Sequence, residues 1–90
     1  MEKIAEECEK FALDRATIGQ RVRLVKIDGE INPIIEKRLM ELGFVPECEI
    51  VVQKHSLLDD VILININGYM LSVRKDIAKY IIVRGVNKYA

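Results

Sequence analysis

From Arg21 to Ile27 charged and apolar side chains alternate, the period of a strand with one face buried. Asp28-Gly29 then supplies a turn. Asn32-Pro33 is a helix start, a side-chain oxygen to cap open amides followed by a residue whose fixed φ suits the first turn. The spacing predicts a helix over 33–42. Ile35, Leu39 and Leu42 fall on its inner face with Ile34 and Met40 beside them, while Glu36, Lys37, Arg38 and Glu41 point outward. Gly43 is suited to the left-handed position that ends such a helix.

Beyond Pro46, which marks a turn, Glu49-Ile50-Val51-Val52-Gln53-Lys54 is rich in β-branched residues and reads as a strand, and 55–60 as a polar-ended loop. Residues 61–66 and 69–73 flank Asn67-Gly68, the strongest short hairpin signal, because both residues tolerate positive φ. A single helical turn over 76–80 and a closing strand over 81–84 complete the pattern. At the other end Ile4, Ala5, Cys8, Phe11 and Ala12 stand at helical spacing among acidic residues and lysines, predicting a short amphipathic helix over 1–12. A helix this short needs a surface to dock on.

About five short strands around one inserted helix predict a mainly β domain, a small barrel closed on itself so that its sheet edges are hidden. The expected division is an amphipathic extension over 1–12, the barrel over 13–85 and a loose tail over 86–90. The chain holds no internal repeat and no low-complexity segment.

Composition narrows the function. Half of the 90 residues are hydrophobic and 31% are charged, enough to form a core. Lys plus Arg equals Asp plus Glu at 14 each, so the basic excess that grips nucleic acid without regard to sequence is absent. No apolar run approaches the roughly 20 residues of a membrane span, and the acidic start lacks the basic and apolar regions of a signal peptide. A cytoplasmic protein is expected, with Cys8 and Cys48 as thiols.

Little catalytic chemistry is in view. The glycines are scattered, so no phosphate-binding loop is predicted. His55 is the one histidine, and adjacent Ser56 does not make a nucleophile–base pair with it; it reads as a surface histidine. His55, Asp59 and Asp60 could offer an imidazole and carboxylates to Fe(II), Mn(II) or Zn(II), but the spacing is unspecific and an Asp-rich turn is more often only a turn. No metal ligand, cofactor or catalytic residue is assigned, and Cys48 reads as a small core hydrophobe. Lys37, Arg38 and Glu41 read as a solvated helix face. Next to them the 43–47 loop is expected to expose Phe44, Val45 and Pro46, giving a mixed patch of the kind partners bind. Aromatic residues are only 6%, too few for a groove that grips proline-rich ligands.

Lys37-Arg38-Leu39-Met40-Glu41-Leu42-Gly43-Phe44-Val45-Pro46, then Asn67-Gly68-Tyr69-Met70-Leu71-Ser72-Val73-Arg74-Lys75, with Leu13, Gly19, Ala78 and Ile82-Val83, resemble the FeoA family of ferrous-iron transport proteins. The resemblance runs from about Leu13 to Arg84. It implies an SH3-like β-barrel with an inserted helix: a cytosolic, non-catalytic accessory of the membrane ferrous-iron transporter FeoB, which would recruit it to the inner face of the membrane. Lys37, Arg38, Glu41, Phe44 and Pro46 lie on the matching motif and are the expected partner-binding residues. Residues 1–12 could dock on their own barrel or cross to a second copy as a weak dimer, and a weak divalent-metal contact is a further candidate; nucleic acid is not. A regulatory module like the SH3-like domain of iron-dependent repressors is the alternative.

Three departures from the family pattern stand out. Glu47 occupies the usual glycine of a Pro-Gly turn, so a turn without positive φ is expected there. Asp59 and Val61 flank Asp60 where a Gly-Asp-Pro turn is common. Residues 1–12 precede the usual barrel.

Overall fold

In the computed structural model, which describes residues 9–86, the alternating segment Arg21–Ile27 is strand β2, burying Val22 and Leu24 and leaving Arg21 and Lys26 in solvent. The other strands are β1 (Lys10–Ala12), β3 (Glu49–Ser56), β4 (Val61–Ile66), β5 (Tyr69–Arg74) and β6 (Ile81–Gly85). Helix α1 spans Pro33–Glu41, the single turn α2 spans Lys75–Ala78, and a 3-10 turn covers Leu13–Arg15. All six strands join one antiparallel sheet in the order β1-β6-β2-β3-β4-β5. Its concave side is lined by Ile50 and Val52 of β3, Ile62, Ile64 and Ile66 of β4, and Ile81 and Val83 of β6, all fully buried. Register shifts in β2 after Leu24 and in β3 after Val52 act as bulges that bend the sheet. No ladder joins β1 to β5 among the described residues; α2 packs against the 3-10 turn across that gap. The mainly β, SH3-like architecture is therefore as expected, but the expected closure of the sheet on itself is not made by backbone pairing, and β1 and β5 remain its edges among the described residues.

Local sequence explains where α1 begins and ends. Asn32 Oδ1 accepts from the Ile34 amide at 2.8 Å, and Pro33 occupies the first helical position. At the other end Gly43 takes φ 108°, its amide donates to Met40 O at 3.0 Å, and the Phe44 amide donates to Leu39 O at 3.0 Å. These are the two bonds of a Schellman motif, and its usual apolar contact is present, since Leu39 and Phe44 belong to the same buried cluster. The hairpin tip packs on this cap. Tyr69 Oη donates to Leu42 O, and Asn67 Nδ2 donates to Gly43 O at 3.5 Å.

A methyl group at Gly43 would lie 2.6 Å from Asn67 Nδ2, on a backbone that side-chain-bearing residues rarely adopt. Gly43→Ala is expected to cost about 1–3 kcal/mol in urea unfolding. Asn67→Gly in the same chain should return only the part due to overlap.

Four expectations need correction. Lys10–Ala12 is strand, not helix: Phe11 pairs with Val83 and Ala12 with Ile82, so the edge of β6 satisfies a backbone that a marginal helix would satisfy alone. This gives a sixth strand; residues 1–8 of the expected helix lie outside the described residues. His55 and Ser56 belong to β3, because the bulge after Val52 lets pairing continue to Ile62 and Val61. Leu42 is partly exposed as the helix cap, not buried with Ile35 and Leu39. The turn after Pro46 does use positive φ, at Glu47 (74°).

Candidate docking face

Helix α1 lies against the sheet through Leu39 and the half-buried Ile35. Lys37, Arg38 and Glu41 are thereby turned outward and exposed. Ion pairs among the described residues join Arg21 to Glu49, Arg74 to Asp76 and Arg84 to Glu47, and none uses those three side chains.

Phe44 does not join them. It is 1% exposed, because the Schellman motif folds the residue after the left-handed glycine back onto the helix's inner face. Pro46 is exposed, as is Val45. The turn that presents them runs Val45-Pro46-Glu47-Cys48, closed by the Cys48 amide on Val45 O at 3.0 Å. Positive φ at Glu47 is the third position of a type II turn, which ordinarily favours glycine. Several contacts hold it there. The Glu47 amide donates to Leu24 O at 2.7 Å, its carbonyl accepts from Arg23 Nη1 at 3.3 Å, and its carboxylate receives Arg84 Nη2 at 2.7 Å.

Beside the outward face of α1 runs an apolar groove of about 410 Å³. Ile34, Leu39 and Leu42 form one wall; Leu71, Val73 and Ile77 form the other. Arg38 and Arg74 stand on its rim. Arg74 is anchored by a two-pronged bond to Asp76, Nε to Oδ1 at 3.2 Å and Nη2 to Oδ2 at 3.0 Å. That contact holds the guanidinium proton more tightly and draws the Asp76 carboxyl below its ordinary value. Both side chains are exposed, so the pair fixes Arg74's position more than it stabilises the fold. The groove was not anticipated. Its sequence signal is a surplus of apolar residues on α1, Ile34 and Leu42 being 72% and 36% exposed.

The candidate metal trio does not assemble. His55 Nε2 donates to Ala16 O at 2.8 Å, which makes the half-buried ring a brace between β3 and the segment after the 3-10 turn. Asp59 closes its own turn through Ser56, the Asp59 amide donating to Ser56 Oγ at 3.3 Å. Among the described residues no three His, Cys, Asp or Glu side chains come together as metal ligands. Cys48 packs half-buried against the core, and burial pushes its thiol above its usual range, against the weaker pull of backbone hydrogen bonds at Val45 and Cys48. It is a packing residue. No helix among the described residues is long and apolar enough to cross a membrane.

Comparison with known proteins agrees with this architecture. The FeoA domain model matches residues 11–85. The chain is similar to a FeoA-like protein from Clostridium acetobutylicum, at 27% identity and a TM-score of 0.77, over 91% of this chain and 93% of that one. It is similar to the FeoA protein of Chlorobium tepidum at 28% identity and a TM-score of 0.79, over 89% and 74% of the two chains. A manganese-dependent transcriptional repressor shares the fold at a TM-score of 0.79 with 15% identity; the match takes up 86% of this chain and 37% of the repressor. No curated protein sequence matches significantly.

Proposed function

The chain belongs to the FeoA family, and on that premise we propose that it is a non-catalytic accessory protein of ferrous iron uptake that binds the FeoB transporter and modulates or helps assemble it. One observation carries the reading beyond the family. The segment Lys37 to Pro46, which carries the family resemblance, spends Leu39 and Phe44 on the core yet leaves Lys37, Arg38, Glu41 and Pro46 exposed, the three charged residues without ion-pair partners among the described residues. These four form the proposed contact; Phe44 acts beneath it as support. The protein would work in the cytoplasm and reach the membrane through its partner.

Arg38→Glu tests the reading. An exposed charge reversal changes stability by no more than about 0.5 kcal/mol, while a rim charge that meets a partner governs association and its salt dependence. The variant is expected to unfold like the parent and to bind reconstituted transporter at least about fivefold more weakly. Full affinity in Arg38→Glu and in Lys37→Glu would remove this face from the proposal. Capture from native membranes with Fe(II) present or absent, and with GTP or GDP, then reads whether metal or nucleotide controls the complex.

The regulatory alternative rests on the repressor's shared fold, and at 15% identity that likeness carries no function.

A further inference from the structure

At the turn between β3 and β4, Leu57 and Leu58 are 85% and 96% exposed, the two most exposed large apolar side chains of the described residues. They stand side by side at a tip and are followed at once by Asp59 and Asp60. Elsewhere on the surface the groove beside α1 has the opposite character, an apolar floor rimmed by Arg38 and Arg74. Removing one core side chain leaves a cavity of roughly 150 Å³, so a groove of about 410 Å³ has room for two aliphatic side chains.

The two features are also neighbours. Val61 pairs with Arg74, and the Lys75 amide donates to Asp60 O at 3.0 Å, so the tip rises next to the Arg74 end of the groove. We infer that a second copy of this chain fills the groove: two molecules exchange their Leu57-Leu58 tips, each seated between α1 and β5 of the other, with Asp59 meeting the partner's Arg38. The match is in charge as well as shape, since the tip carries two acids and no base, and the groove is lined by Arg38, which has no ion-pair partner among the described residues, Arg74 being already paired with Asp76. Proximity of tip and groove lets one two-fold axis satisfy both at once, which closes the assembly as a dimer instead of a filament. An anionic membrane is the poorer occupant for the tip, because the carboxylates beside the leucines repel it.

Sedimentation velocity on the full chain, from micromolar concentration to about 1 mM, reads the dimer. Leu58→Asp, at a position with almost no intramolecular contact, should leave unfolding unchanged and weaken self-association by at least about tenfold. Arg38→Asp should do the same, and adding Asp59→Arg should recover most of the loss. Arg38 also belongs to the proposed transporter contact, so Leu58 and the charge exchange separate the two ideas. A monomer throughout the range overturns the inference. So does a dimer indifferent to Leu58→Asp, or a Leu58→Asp variant whose one defect is lost binding to phosphatidylcholine vesicles.

Discussion

Phe44→Ala is expected to destabilise the protein by about 3–5 kcal/mol, a large share of the roughly 5–15 kcal/mol that holds a domain together. Phe44 is 1% exposed and is the largest of the fully buried side chains. Its backbone amide closes the cap of α1 on Leu39 O, so the ring that fills the core also sets how the helix leaves the sheet. Urea unfolding should show the loss as a lower midpoint. Transporter binding, measured where the variant is still folded, should be nearly unchanged, because Phe44 has no surface to offer. A small stability loss with a large binding loss would return Phe44 to the contact and displace the account of the cap.

Leu39→Ala should cost about 2–5 kcal/mol. Leu39 is 5% exposed and is the one helix residue fully committed to the core, for Ile35 is half-buried and Ile34 and Met40 face solvent. With a single deep anchor, α1 has little to compensate a cavity. Leu39→Met, which keeps the volume, should cost less than about 1.5 kcal/mol. Thermal unfolding of the pair checks both figures, and equal costs would mean that the site does not discriminate shape.

The contrast between Phe44 and Leu39 shows what kind of information was readable. Leu39 follows from helical spacing, Asn32-Pro33 from the chemistry of a cap, and Asn67-Gly68 from the dihedral angles of a two-residue turn. Each depends on neighbours in sequence. Phe44 does lie in a loop, but its position after the helix predicts exposure where it is buried, and Gly43 is the signal that the next residue turns inward. Lys10–Ala12 could not be recognised as a strand, since its partner is Ile82–Arg84. Glu47 is the same case: its left-handed backbone depends on Arg23, Leu24 and Arg84, brought in from other strands. The proposed docking face is half legible, its charges from the solvent side of α1, its groove only with β5 and α2 beside the helix.

Strand β6 sits between β1 and β2, joining segments made early to one made late: Phe11 to Val83, and Val22 to Gly85. As the chain emerges, β2 through β5 can pair in order, but β1 has no neighbour and β2 has one open edge until Ile81–Gly85 are free to join them. Such long-range pairing folds in milliseconds to seconds, slowly for so small a domain. During that interval the open edge of β2 is a template for a wrong strand, from this chain or another. A chain in which β6 has not yet inserted thus holds out an open edge on β2, and slowing that insertion lengthens the exposure of the edge.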